Sequence, residues 1–177
     1  MKAVIFIFVT MFIASSCGEN KIKPTINATL DDSEIPSQQS WDSKIIFTDN
    51  GILKAILFSN HLTKFDNKHE TLIDDMKIDF YNPTGEKTSV LTSKKGRVDD
   101  ISKNMFAIDS VVAVSDSGVT LRTDELMWVN KTQKIKTDRF VRIESPNEII
   151  EGYGFISDQT LRNYTIRNIT YSPDAKK

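Results

Sequence analysis

Side chains able to do chemistry are sparse in this 177-residue chain, and their spacing excludes more than it offers. Cys17 is the only cysteine, so no disulfide can form within the chain and one thiol stands alone. The two histidines, His61 and His69, lie eight positions apart, and neither has a second histidine or a cysteine at zinc-ligand spacing. Both read as solvated surface residues. The acidic doublets Asp31-Asp32, Asp74-Asp75 and Asp99-Asp100 are no better placed. Neighbours on a strand point to opposite faces, so a doublet cannot converge on one substrate atom. Only pairing across distant strands could build a glycosidase-type carboxylate dyad. No nucleophile elbow, phosphate-cradling glycine loop or HExxH helix occurs. The expectation is a protein that is not an enzyme, with no cofactor and no metal.

Cys17 gains its meaning from what precedes it. Ala3–Ala14 is a 12-residue uncharged, mostly apolar run behind Lys2, with small residues after it. That length suits a secretory signal, since crossing the hydrocarbon core takes roughly 20 apolar residues. Ile13-Ala14-Ser15-Ser16-Cys17 resembles a bacterial lipobox, which implies a signal peptide over 1–16 and a lipid anchor on Cys17. An ordinary cleaved signal or an unpaired thiol is the alternative, although exported chains rarely keep a lone free thiol. From Cys17 onward 161 residues remain, and losing Lys2 leaves 22 basic against 24 acidic residues, a net charge of −2. That balance carries no nucleic-acid footprint and no polybasic membrane patch. Residues 17–40 are polar and contain proline, as a flexible tether would be, and 172–177 form a similar tail.

Between them, residues 41–171 read as short strands with almost no helical period. Leu72–Tyr81 places Leu72, Met76, Ile78 and Phe80 on one face, with Asp75, Lys77 and Asp79 on the other. Val119–Asp124 alternates as cleanly. Asn104–Val114 groups Phe106, Ile108, Val112 and Val114, although Met105, Ala107, Val111 and Ala113 make its second face apolar too. Asp49-Asn50-Gly51, Asn82-Pro83-Thr84-Gly85, Lys94-Lys95-Gly96, Asp116-Ser117-Gly118 and Ser145-Pro146-Asn147 fall where hairpins would reverse. Such spacing predicts an all-β fold of antiparallel strands: a sandwich, barrel or jelly roll.

Several stretches in order resemble one family. Gly118–Trp128 (GVTLRTDELMW), Lys134–Asp138, Val141–Ile143 and Ile150–Asp158 with Leu161 are similar to the LptC family of the lipopolysaccharide export system. Upstream, Gly51–Ala55, Leu72–Tyr81 and Ser89–Gly96 fit its first half, so the likeness spans about Trp41–Thr170. The resemblance implies an open, twisted β-jelly roll of two antiparallel sheets with an apolar groove between them. It further implies that the groove receives acyl chains of lipopolysaccharide. The donor would be an inner-membrane transporter of the LptB/LptF/LptG type, and the acceptor a periplasmic bridge protein of the LptA type.

The groove residues expected from the clean apolar faces are Met76, Ile78, Phe80, Phe106, Ile108, Val112, Val119 and Leu121, followed by Trp128, Ile143, Tyr153 and Phe155. Plain core packing is the alternative for each. The partner-facing edge strands would carry Lys44, Ile46 and Thr48 at one end and Tyr164, Ile166 and Ile169 at the other. Well-known members of the family hold the membrane through an N-terminal transmembrane helix. Here the expected anchor is lipid on Cys17, in the periplasm at the inner membrane. The rival readings are a surface lipoprotein binding glycan or protein through its loops, and a lipoprotein hydrolase.

Overall fold

A computed structural model describes residues 35–171. The expected signal peptide, Cys17 and the tail lie outside them. The described residues fall within one compact unit and form nine strands: β1 (Gln38–Asp49), β2 (Ile52–Phe65), β3 (Glu70–Tyr81), β4 (Lys87–Asp99), β5 (Met105–Ser115), β6 (Thr120–Val129), β7 (Lys134–Glu144), β8 (Ile149–Ser157) and β9 (Tyr164–Tyr171). Each pairs antiparallel with its sequence neighbours, so strand order in the sheet equals chain order. Pairing begins with Ser37, whose N–H donates to Lys64 O at 2.8 Å, ahead of the expected start at Trp41. The first reversal is the expected one: Asn50 and Gly51 take φ of 51° and 78° between the paired Asp49 and Ile52, as a two-residue hairpin turn demands.

A single nine-stranded sheet has to bury one face, and here it does so by folding over on itself. Pairing breaks at mid-strand: it skips between Thr92 and Lys95, between Ile108 and Val111, between Thr123 and Met127, and between Thr137 and Phe140. Along the same line Asp42, Asp75, Asp109, Ser110 and Gly154 take positive φ. Short polar side chains and glycine bear that conformation at least cost. The sheet therefore bends into two leaves, the two layers expected from the sequence. Phe80 of β3 and Trp128 of β6 bring their ring centroids to 6.4 Å even though β4 and β5 lie between them in the sheet.

Each bulge also shifts the alternation. In β3 the inward residues run Thr71, Ile73, then Met76, Ile78, Phe80, with the step at Asp75, and Asp79 on the other face is buried as well. Leu72, expected inward, is 40% exposed, whereas Ile73 is 3% exposed. Lys94-Lys95-Gly96 is likewise not a reversal: it lies inside β4 on the fold line. The inward residues of β5 are Ala107, Val111 and Ala113. Phe106, Ile108 and Val112, expected on the groove face, occupy the alternate, half-buried positions; the Arg97 guanidinium covers the Phe106 ring at 4.1 Å.

The core is filled at the centre and toward β9. Leu121, Val141, Ile143 and Phe155 are at most 2% exposed. The β8–β9 loop closes that end: Leu161 is buried, Ser89 Oγ donates to Gln159 O at 2.8 Å, and Arg162 pairs with Asp116 at 2.8 Å. The burial phase of β5 makes a direct expectation. Val111→Ala should destabilise by about 2 kcal/mol and Val112→Ala by less than about 1 kcal/mol, read from urea unfolding midpoints. Equal losses would contradict the assignment of faces.

Candidate functional site

The β1 side of the molecule is built differently. Between the leaves lies a cavity of about 370 Å³ lined by Phe47, Ala55, Ile78, Phe80, Val98, Met105 and Trp128. Its depth narrows to about 20 Å³ among Met76, Leu91, Ala107, Leu126 and Ile135. Phe47, Val98 and Lys103 are shared with a further space of about 560 Å³ that runs along β1 from Gln38, over Leu57, Leu62 and Ile73. The apolar interior thus continues to the open flank of the sheet.

At the opposite mouth, Lys54, Asn130, Gln133 and Gln159 are shared with a basin of about 730 Å³. Its other lining groups include Asp49, Tyr81, Asn82 and Asp158. Burial pushes the Asp158 carboxyl up, but hydrogen bonds from Thr160 and Asn163 outweigh it and hold its pKa below the usual carboxylate value. Two bulges sit at this end of the sheet, at Phe47/Thr48 and Phe80/Tyr81. A bulge turns the next side chain off the simple alternation. Phe80 accordingly lines the apolar cavity while Tyr81 lines the basin.

The structure sorts the expected groove residues into three groups. Met76, Ile78, Phe80 and Trp128 come together at the cavity. Leu121, Ile143 and Phe155 are packed in the filled centre, and half-buried Val119 packs against it. Phe106, Ile108 and Val112 occupy the non-core positions of β5, and Tyr153 is 47% exposed with its ring edge-on to Phe140. Sequence reasoning missed Phe47, Ala55 and Val98 as lining, and put Met105 on the unused face of β5. Their signal is weak, because each sits next to a bulge or strand end where alternation resets.

The histidines have ordinary surroundings. His61 stacks on Trp41 at 5.0 Å and faces Asp74 at 3.5 Å, and His69 sits in the β2–β3 turn. Among the described residues no group of three or more His, Cys, Asp or Glu could hold a metal ion.

Both sheet edges are free among the described residues: β1 pairs only with β2, and β9 only with β8. Lys44, Ile46 and Thr48 lie on the first edge strand, Tyr164, Ile166 and Ile169 on the second. The edges carry apolar side chains in water, Trp41 at 64% and Ile169 at 58% exposure.

A family model described as "Lipopolysaccharide-assembly, LptC-related" matches residues 3–170. The chain belongs to the LptC family. Among solved structures it is similar to LptH, described as the LptA homologous periplasmic component of the conserved lipopolysaccharide transport device from Pseudomonas aeruginosa. The identity is 10%, the TM-score 0.45, and the match covers 82% of this chain and 92% of that one. No curated protein matches. Membership makes this LptC-family chain a periplasmic, non-enzymatic component of lipopolysaccharide transport.

The cavity makes a testable claim about packing. Ala55→Leu projects into open space and should change stability by less than about 1 kcal/mol, while Ala113→Leu overpacks the filled side and costs about 1–3 kcal/mol. Thermal or urea unfolding of the two variants checks it, and a larger loss at Ala55 would mean that the cavity is closed in solution.

Proposed function

We propose that the apolar cavity takes acyl chains of lipopolysaccharide from the inner-membrane transporter of the LptB/LptF/LptG type and passes them to an LptA-type bridge protein. The observation that carries this reading is the cavity of about 370 Å³ lying open beside an unpaired edge strand. At about 0.8 kcal/mol per methylene, a chain of about 14 carbons loses on the order of 10 kcal/mol if left in water. Transfer through an aqueous compartment therefore needs apolar cover without a break. Ile78, Phe80, Met105 and Trp128 supply it inside the roll, and a neighbouring roll added at an edge would extend it.

The edges support that second step. Unpaired N–H and C=O groups along β1 and β9 are templates for another strand, and apolar side chains left exposed there are a liability unless something covers them. Lys44, Ile46 and Thr48 would meet the transporter's periplasmic jelly roll, and Tyr164, Ile166 and Ile169 the bridge protein. Arg167 is drawn across to Asp138 and Arg162 to Asp116, which leaves the β9 edge without a free cation of its own. Lipid on Cys17 would hold the protein at the inner membrane, with each buried methylene again adding about 0.8 kcal/mol.

Photo-crosslinking probes placed in cells at Ile78 and Phe80 should label lipopolysaccharide, and probes at Lys77 and Ile108 should not. Equal labelling at all four positions would overturn the acyl-chain reading. Separately, Cys17→Ala should release the protein from the membrane fraction, as judged by fractionation and immunoblot. Full retention of that variant would contradict a lipid anchor.

A further inference from the structure

The basin beside the cavity is the more polar of the two spaces, and the two are continuous. They share Lys54, Asn130, Gln133 and Gln159, so any amphiphile seated in one presents its other end to the second. The basin holds about 730 Å³, within the size range of pockets that take whole small-molecule ligands. Besides Lys54 and Pro83, its lining is amide, hydroxyl, carboxylate and one aromatic ring, the inventory that meets vicinal hydroxyls with both donors and acceptors. Lys54 and Tyr81 carry no side-chain hydrogen bond or ion pair among the described residues. Asp158 is held ionised and ordered by Thr160 and Asn163, and so can only accept.

We propose that this basin is a sugar-binding subsite: it receives the glycan headgroup of the same lipid whose acyl chain occupies the apolar cavity. The proposal rests on the acyl-chain reading given above. The division is made by the Phe80/Tyr81 bulge, which sends consecutive side chains into the apolar and the polar space. The carboxylates of Asp49 and Asp158 in the lining favour neutral hydroxyls over an anionic group, and the basin's one ammonium, from Lys54, stands at the junction where the headgroup meets its chains. The roll would then fix how far a lipid enters, because a sugar cannot follow the chain past Phe80 and Trp128 into an apolar space without leaving its hydroxyls unpaired.

The test is photo-crosslinking of the full chain in lipopolysaccharide-producing cells, with probes at Tyr81, Gln159 and Phe80 and a control at Arg122, followed by mass spectrometry of the adduct peptides. Sugar-linked adducts at Tyr81 and Gln159, about tenfold above the Arg122 control, together with acyl-linked adducts at Phe80, are the expected result. Acyl-linked adducts at all three positions, or none at Tyr81 and Gln159 while Phe80 labels, would overturn the sugar subsite and leave the acyl-chain reading intact. Sugar adducts at Tyr81 with none at Phe80 would overturn the acyl-chain reading and with it the claim that one lipid spans both spaces.

Discussion

The structure depends on a constraint met at mid-strand. A sheet of nine strands in chain order has no second sheet to pack against, so its apolar face stays wet unless the sheet bends. Bending is eased by residues that tolerate positive φ at mid-strand on several of the strands, here β1, β3, β5 and β8. Asp42, Asp75, Asp109, Ser110 and Gly154 provide them. Around them polar side chains knit the line together: Asn60 to Asp75, Lys94 to Asp109, Glu125 to Arg139, Asp138 to Arg167. These exposed pairs contribute little energy each. Their use is that charge and hydrogen-bonding groups keep the crease in water, on the outside of the bend.

From that crease the difference between the two ends follows. Toward β9, the Phe155 and Tyr164 rings meet at a tilt with centroids 5.9 Å apart, Leu161 drops into the core, and the β8–β9 loop is tied to β4 and to the loop after β5. Toward β1 no equivalent loop packs into the core among the described residues, and Phe47, Ala55 and Val98 line the cavity. Native interiors are close-packed, and an unfilled apolar cavity costs stability.

How much of this could be read from residue order depends on the local period. The all-β class was legible because alternation and turn residues agree along nearly the whole of Gln38–Tyr171. So were Met76, Ile78 and Phe80, which lie on one uninterrupted run after Asp75. The inward face of β5 was not legible, since both faces are apolar and the choice is made by Asp109 and Ser110, which look like ordinary strand residues in sequence. The break at Lys94-Lys95-Gly96 was visible but misjudged: a crease and a hairpin turn draw on the same residue types, and only pairing on both sides of the break tells them apart. The polar basin was invisible because it gathers strand ends, turns and part of the β8–β9 loop from far apart in the chain.

The claim on which all else rests is that one folded sheet is packed solid on its β9 side and left open on its β1 side. Side-chain methyl NMR during titration with a 14-carbon fatty acid addresses it directly. The account expects saturable shifts at Ala55, Ile78 and Met105, with Leu121, Val141 and Ile143 unmoved. Shifts of similar size at both sets, or none at Ala55 and Ile78, would contradict it.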